Sequence, residues 1–162
     1  MELIKKKFNT KRTDSGVLTF LESERDVPFA VKRVYYIYDL AQEAHRGFHA
    51  HKALRQYLIC VHGKCEILLD DGVQRKTVLL SDPSEGLYVG SGIWREMYAF
   101  SHEAVLLVLA SEYFDESDYI RDYDLFLQYV NENLENCSAG NEIKSVELRG
   151  ISAIKQERAL EE

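Results

Sequence analysis

The sequence predicts an all-β sandwich or barrel that one helix closes near its C-terminal end. About eight or nine short runs of β-branched and aromatic residues follow one another, separated by turn residues. From Ser117 onward the apolar residues recur every three to four positions, which indicates a helix with Ser117 as its N-cap. Parallel α/β sheets need helices between their strands, so this order of elements excludes that class.

The first strands follow a polar N-terminal region. Residues 1–15 are polar and basic and end in a turn signal ahead of a strand at residues 17–22. Residues 31–40 are dense in β-branched and aromatic side chains and predict the next strand. Because side chains alternate along a strand, Arg33 and Tyr35 share one face, which we expect to line the barrel and to contact a ligand.

The middle of the chain predicts a meander of short strands. The sequence Asp70-Asp71-Gly72 is a strong hairpin signal, and further turns separate the strands that follow it. The continuous apolar run at residues 105–110 is typical of a fully buried strand. Strands are predicted at residues 57–61, 64–69, 74–80, 87–89, 93–98 and 105–110.

Composition limits the classes of function. A length of 162 residues with 46% hydrophobic content suits one core, and we assign residues 1–134 to the barrel domain and residues 135–162 to an extension of unknown role. The net charge of -7 argues against nucleic acid or an anionic membrane as a partner. There is no signal-peptide pattern and no apolar run of the roughly 20 residues that span a bilayer. With an odd number of cysteines, this predicts a reduced, cytoplasmic protein.

The stretch from Arg46 to Gly63 carries the chemical signal. It places His49 and His51 two residues apart, so that in an extended strand both imidazoles point to the same face. An unperturbed imidazole has a pKa of roughly 6.5, which suits proton transfer at neutral pH. Two such rings on one wall of a barrel therefore predict proton-transfer chemistry.

The spacing within this stretch resembles the first conserved motif of the cupin superfamily. His-x-His is followed by four residues, Gln56, six residues and Gly63. The resemblance implies a double-stranded β-helix of the jelly-roll type. Metal-binding cupins carry a Glu where Gln56 stands and a His where Arg95 stands, so the resemblance implies a site without a metal or other cofactor.

Longer segments resemble the sugar-nucleotide 3,4-ketoisomerases, which are cupins that act on dTDP-4-keto-6-deoxyglucose in deoxysugar biosynthesis. In chain order they are RVYYIYD, RGFHAHK, DDG, PSEGLYVGSGIW and LLVLASEYFDESDYIRDYDLF, between roughly residues 15 and 130. The resemblance implies a cofactor-free interconversion of a 4-keto and a 3-keto sugar through an enediol. The family usually has a His where Arg95 stands, and this chain places a permanent cation there.

The implied reaction assigns roles to the candidate residues. His49 is the predicted general base, and His51 orients it, holds the keto oxygen or carries a proton between the two sugar oxygens. The developing oxyanion needs a donor, for which His51, Tyr35 and Arg33 are candidates. The remaining predicted substrate-binding residues are Gln56, the diphosphate candidates Arg46, Arg95 and Arg121, and Trp94, which would stack on the nucleotide base.

Other functions and the assembly complete the predictions. An epimerase acting at C3 or C5 would need the same enolisation, and a non-catalytic cupin would bind a sugar without proton transfer. A metal-dependent dioxygenase is disfavoured by Gln56 and Arg95. A terminal strand on a polar hinge can pair with a neighbouring subunit, and the resembled family is typically dimeric, so we expect a homodimer with the strand at residues 17–22 exchanged or at the interface.

Overall fold

The computed structural model describes residues 3–41 and 43–138, which form a barrel of two five-stranded sheets, a separate hairpin and one α-helix. All strand pairs in the sheets are antiparallel. The strands are β1 (Ile4–Lys7), β2 (Asn9–Thr13), β3 (Gly16–Phe20), β4 (Arg33–Ile37), β5 (Arg46–His51), β6 (Gln56–His62), β7 (Cys65–Asp70), β8 (Arg75–Leu80), β9 (Glu85–Val89), β10 (Trp94–Tyr98), β11 (Val105–Ala110) and β12 (Tyr119–Ile120). The helix α1 is Tyr123–Ser138.

The chain passes back and forth between the two sheets, as the predicted jelly roll requires. The first sheet has the order β1-β9-β6-β11-β4 and the second β12-β5-β10-β7-β8. From β4 onward, successive strands change sheet at every step except the β7–β8 hairpin, which contains Asp71 and Gly72. The predicted meander is therefore wrong beyond that hairpin, because most of the other turns carry the chain across the barrel.

The apolar core lies between the two sheets. Its largest cluster combines side chains of β6, β9 and β11 with side chains of β7, β8 and β10. A smaller cluster of Ala50, Trp94, Ile120 and Phe126 lies on the outer face of the second sheet, where α1 covers it. Burying apolar side chains contributes roughly 1.5–3 kcal/mol each, so both clusters hold the sheet that carries the two histidines.

Two features of the N-terminal and C-terminal parts differ from the predictions. The polar residues 1–15 contain β1, which pairs with β9, and β2, which pairs with β3 in an exposed hairpin. The helix begins at Tyr123, because the carboxylate of Asp122 accepts the N–H of Leu125 at 2.9 Å. Ser117 is not its N-cap, since it lies in the 3₁₀ helix Glu116–Asp118 and bonds to Asp115.

The end of α1 bears on the predicted domain boundary. The helix continues to Ser138, four residues beyond residue 134. The rest of the predicted extension, with its helix-favouring composition, lies outside the described residues. Within residues 3–41 and 43–138, no helix is long and apolar enough to cross a membrane.

Candidate active site

A bulge at the start of β5 sets the orientation of the histidines. The pairing of β5 with β10 shifts register between Arg95 and Glu96, opposite Gly47. Gly47 has φ +93°, and a Cβ on it would lie 2.6 Å from the carbonyl oxygen of Arg95, so only glycine allows the strands to approach here. Beyond the bulge His49 pairs with Arg95, which places both side chains on the inner face.

The two histidines lie in contact, as the sequence predicted. Their ring centroids are 4.8 Å apart, and the ring of Tyr119 lies 4.9 Å from His49 and 4.2 Å from His51. Nδ1 of His49 is 2.9 Å from the carbonyl oxygen of Gly47. A carbonyl only accepts, so Nδ1 carries the proton and the Nε2 lone pair of His49 is available to a ligand.

His51 is buried and belongs to a second pair. Its Nδ1 lies 2.9 Å from the Oδ2 atom of Asp118, in the 3₁₀ helix that leads into β12. Its Nε2 is buried and has no hydrogen-bond partner among the described residues. Leaving a buried polar atom unpaired costs free energy. Such atoms are typical of active sites, where a ligand completes the hydrogen bond.

Both imidazoles are held in the neutral form. Burial, together with the positive charge of Arg95, lowers the pKa of His49 to about 4. The same two causes, in the same order, lower the pKa of His51 well below its ordinary value. A neutral imidazole is ready to accept a proton.

Arg95 lies inside the barrel rather than at its rim. Its side chain is 0% exposed, and its Nε and Nη1 have no partner among the described residues. Burial lowers its pKa to about 10, which still leaves the guanidinium charged at neutral pH. A buried, charged guanidinium with two unsatisfied nitrogens suits an anion or a developing negative charge beside the histidines.

The facing sheet contributes the other polar residues to this end of the barrel. Arg33 and Gln56 both pair with Ala110 of β11, so their side chains lie on the same face of that sheet. Gln56 donates a hydrogen bond to the hydroxyl of Tyr35 at 2.8 Å, and Nε of Arg33 is buried without a partner in the described structure. Burial raises the pKa of Tyr35, so its hydroxyl stays protonated and can donate.

The rim beside the histidines is aromatic and basic. The guanidinium of Arg121 lies 4.3 Å from the centroid of Tyr119 and pairs with Glu116 at 2.8 Å. Phe114 is 63% exposed and contacts Tyr119, with ring centroids 5.8 Å apart. The guanidinium of Arg33 lies 5.6 Å from the Phe114 ring. This rim offers charge and an aromatic face to a ligand entering the barrel.

Two predicted residues lie apart from this group. Trp94 is 4% exposed and packs against Phe126 and Tyr123, so it has no ring face left for a nucleotide base, and that prediction is wrong. Trp94 and Arg95 are neighbours in β10, so only one of them can point into the barrel. Arg46 is exposed at the start of β5, and its contact with a diphosphate stays a prediction.

Sequence reasoning missed Asp118, Tyr119 and Phe114. They reach the site from a segment more than sixty residues after His51, as the separation of 67 between His51 and Asp118 shows. Asp118 and Tyr119 lie in the Asp-Tyr-Ile-Arg stretch, which the apolar periodicity predicts as part of a helix rather than as part of the site. Among the described residues, no group of three or more His, Cys, Asp or Glu is placed to hold a metal ion.

The chain matches a known protein family over most of its length. Residues 2–131 match the family FdtA, described as WxcM-like, C-terminal. The chain is 50% identical over 121 residues to a TDP-4-oxo-6-deoxy-α-D-glucose-3,4-oxoisomerase of Aneurinibacillus thermoaerophilus, covering 74% of this chain and 87% of the relative.

Solved structures give the same result. A 3,4-ketoisomerase from Helicobacter canadensis superposes with a TM-score of 0.78 at 48% identity, covering 81% of this chain and 98% of the other. A His-to-Asn mutant of the 3,4-ketoisomerase QdtA from Thermoanaerobacterium thermosaccharolyticum, in complex with TDP-4-keto-6-deoxyglucose, has a TM-score of 0.78 at 45% identity, covering 80% and 94%. With its jelly-roll barrel, its inward histidine pair and a family match over most of its length, the chain belongs to the FdtA (WxcM-like) family, whose solved relatives named above are cupin-type sugar 3,4-ketoisomerases.

Proposed function

We propose that this protein converts TDP-4-keto-6-deoxyglucose into the corresponding 3-keto-6-deoxyhexose, as a 3,4-ketoisomerase of deoxysugar biosynthesis. The observation that carries the proposal is the set of buried polar atoms without partners, which belong to Arg33, His51 and Arg95 and lie at the same end of the barrel as His49. Such atoms suit an oxygen-rich, anionic ligand. The names of the relatives supply the sugar nucleotide.

The reaction needs two proton movements and no net change in electrons. A base removes the proton from C3, the C–H pair forms a C3=C4 double bond, and the C4 carbonyl pair moves onto O4. The proton of O3 then passes to O4. Finally the O3 pair forms the C3 carbonyl, and the double-bond pair takes up a proton at C4. One group must therefore serve the two carbons and another the two oxygens.

The histidines divide this work in the proposal. His49 is only half-buried and has a free Nε2, so it removes the C3 proton and returns it at C4. His51 lies deeper, and its Nε2 can accept the proton of O3 and pass it to O4. Arg95 stabilises the enediolate, because its charge is in place before the negative charge develops.

The nucleotide half of the ligand is assigned to the rim. Arg33 and Arg121 can bind the diphosphate, since a guanidinium donates two parallel hydrogen bonds to phosphate oxygens. Phe114 takes over the stacking role that Trp94 cannot fill, because its ring is exposed beside these two cations. Tyr35 and Gln56, joined by their hydrogen bond, serve the sugar.

The proposal includes a homodimer in a reducing, cytoplasmic compartment. Val34 and Tyr36 are 55% and 60% exposed on the outer face of β4, and Tyr38, directly after this strand, is 61% exposed. Val17 and Leu18 of the hairpin are also exposed. Apolar surface of this kind marks protein interfaces. Cys60 and Cys65 are both free thiols, which agrees with reducing surroundings. Light scattering giving a mass near 18.7 kDa at micromolar concentration would contradict the dimer.

The experiment that tests the function is incubation with TDP-4-keto-6-deoxyglucose in deuterated water, followed by NMR. We expect the carbonyl signal to change from C4 to C3 and a proton or deuteron to appear on C4. An epimerase would leave the ketone at C4 and exchange the proton at C3 or C5. A binding protein would cause no exchange at all. Either result would overturn the proposal.

A further inference from the structure

Asp118 connects the 3₁₀ helix to the strand that carries the histidines. Its Oδ2 lies 2.9 Å from Nδ1 of His51, and its Oδ1 accepts the backbone N–H of Ala53 at 2.7 Å. The N–H of Leu54 lies 3.4 Å from Oδ2. The carboxylate therefore fixes both the ring of His51 and the turn that follows it.

This contact determines which ring nitrogen carries the proton. An ionised carboxylate only accepts hydrogen bonds, so neutral His51 must carry its proton on Nδ1 and present a lone pair on Nε2. That Nε2 is the buried atom with no partner among the described residues. The opposite tautomer would place an N–H at the position where the proposed reaction needs an acceptor for the O3 proton.

We propose that Asp118 is a positioning residue that fixes His51 as the Nδ1–H tautomer, so that Nε2 can accept a proton from a sugar hydroxyl. The expected loss of turnover rests on the proposed function of the site, whereas the tautomer of His51 does not. When His51 accepts the O3 proton it becomes an imidazolium, which the adjacent carboxylate stabilises until the proton passes to O4.

Asp118→Asn tests this assignment with little change in shape. The amide oxygen keeps the bond from the Ala53 N–H, and the amide nitrogen becomes a donor aimed at Nδ1 of His51. His51 then protonates on Nε2, and the acceptor for O3 is lost. We expect kcat to fall about 100-fold or more, whereas KM changes less than about threefold because the ligand contacts remain.

The readout specific to a positioning role is long-range ¹H–¹⁵N NMR of the imidazoles, with the His51 signals identified from a His51→Asn sample. The wild type should show a protonated Nδ1 and an unprotonated Nε2, and Asp118→Asn the reverse. Asp115→Asn is the matched control, since Asp115 binds Ser117 in the same segment and has no described bond to His51. It should leave both the tautomer and kcat unchanged.

A second variant removes the dependence on one substitution. Asp118→Glu keeps an acceptor-only group, so it should retain the Nδ1–H tautomer and turn over at least about tenfold faster than Asp118→Asn. An unchanged tautomer in a folded Asp118→Asn protein would overturn the inference, as would inversion of the tautomer with kcat within threefold of wild type. If Asp118→Asn inverts the tautomer but the wild type itself shows no ketoisomerase activity, the proposed function is contradicted and the tautomer assignment stands.

Discussion

Asp70 and Arg95 are buried charged residues on neighbouring strands, yet their surroundings differ in kind. Asp70 lies opposite Trp94 in the pairing of β7 with β10, one step from Arg95. Its carboxylate accepts from Nε of Arg75 at 2.5 Å, from the hydroxyl of Tyr123 at 2.7 Å and from the N–H of Gly72 at 2.7 Å. Although burial acts to raise it, these bonds lower the pKa of Asp70.

Arg95 has no comparable set of partners. Its described hydrogen bond is a long one, from Nη2 to the carbonyl of Gly90 at 3.4 Å. Burial alone therefore does not separate structural from functional charge, since Asp70 is 2% exposed and Arg95 0%. The two residues differ in their hydrogen bonding. Asp70 is bonded on several sides and links α1 to the β7–β8 hairpin, whereas two nitrogens of Arg95 have no partner among the described residues, as the proposed ligand-binding role requires.

The largest effect is expected at the histidine beside Arg95. His49→Asn should lower turnover 100-fold or more, because it removes the group that moves the proton between C3 and C4. The melting temperature of His49→Asn should stay close to that of the wild type. His62→Asn is the control, since His62 is exposed at the far end of β6, and its activity should match the wild type. A His49→Asn rate above about a tenth of wild type would contradict the assignment.

Substituting the two buried charges tests the comparison directly. Arg95→Met should lower kcat by at least about tenfold and leave stability unchanged or higher, because an unpaired buried charge is replaced by an apolar side chain of similar length. Asp70→Asn should cost about 1.5–3 kcal/mol of stability, the worth of a charged hydrogen bond, and leave kcat unchanged. Urea unfolding and steady-state kinetics measure both quantities. The reverse pattern would refute the distinction.

Strand periodicity explains why the central site residues could be predicted. Alternation places His49 with His51 and Arg33 with Tyr35 on inner faces, and the structure brings all four to one end of the barrel. The same rule applied to β10 would have turned Trp94 outward once Arg95 was placed inside. Asp118 could not be predicted, because no local pattern reports a contact across 67 residues of sequence.

The exposed rim should affect substrate binding more than chemistry. Phe114→Ala should raise KM about 5-fold or more, since stacking of a base on an aromatic ring contributes roughly 1–3 kcal/mol. The value of kcat should change little, because Phe114 lies outside the histidine pair. Tyr113→Ala is the neighbouring control, since Tyr113 is 73% exposed and its described ring contact is with Lys32. Equal KM values for Phe114→Ala and the wild type would exclude the stacking role.

The activity profile should extend further into acid than an ordinary histidine allows. His49 works as a base only when unprotonated, and its pKa is lowered to about 4 by burial and by the charge of Arg95, against the smaller opposing effects of the Gly47 carbonyl and Glu116. The log of kcat/KM should therefore stay level as the pH falls through 6.5 and decline only towards pH 4. Arg95→Met should move that decline to higher pH, because the repelling charge is gone. A wild-type decline centred near 6.5 would contradict the electrostatic account.

Metal removal should have the smallest effect. At the positions where metal-binding cupins supply a carboxylate and an imidazole, this chain has the Gln56 amide, which already bonds to Tyr35, and the charged guanidinium of Arg95. Two histidines with a nearby cation make a poor divalent site, because the cation repels the metal that the imidazoles would bind. Dialysis against EDTA should therefore leave kcat unchanged, with elemental analysis showing less than about a tenth of an equivalent of metal per chain. Loss of activity on chelation, with recovery on adding zinc, iron or manganese, would show that a metal binds at the histidines despite Arg95. In that case the unsatisfied nitrogens of Arg95 would not serve an anionic ligand.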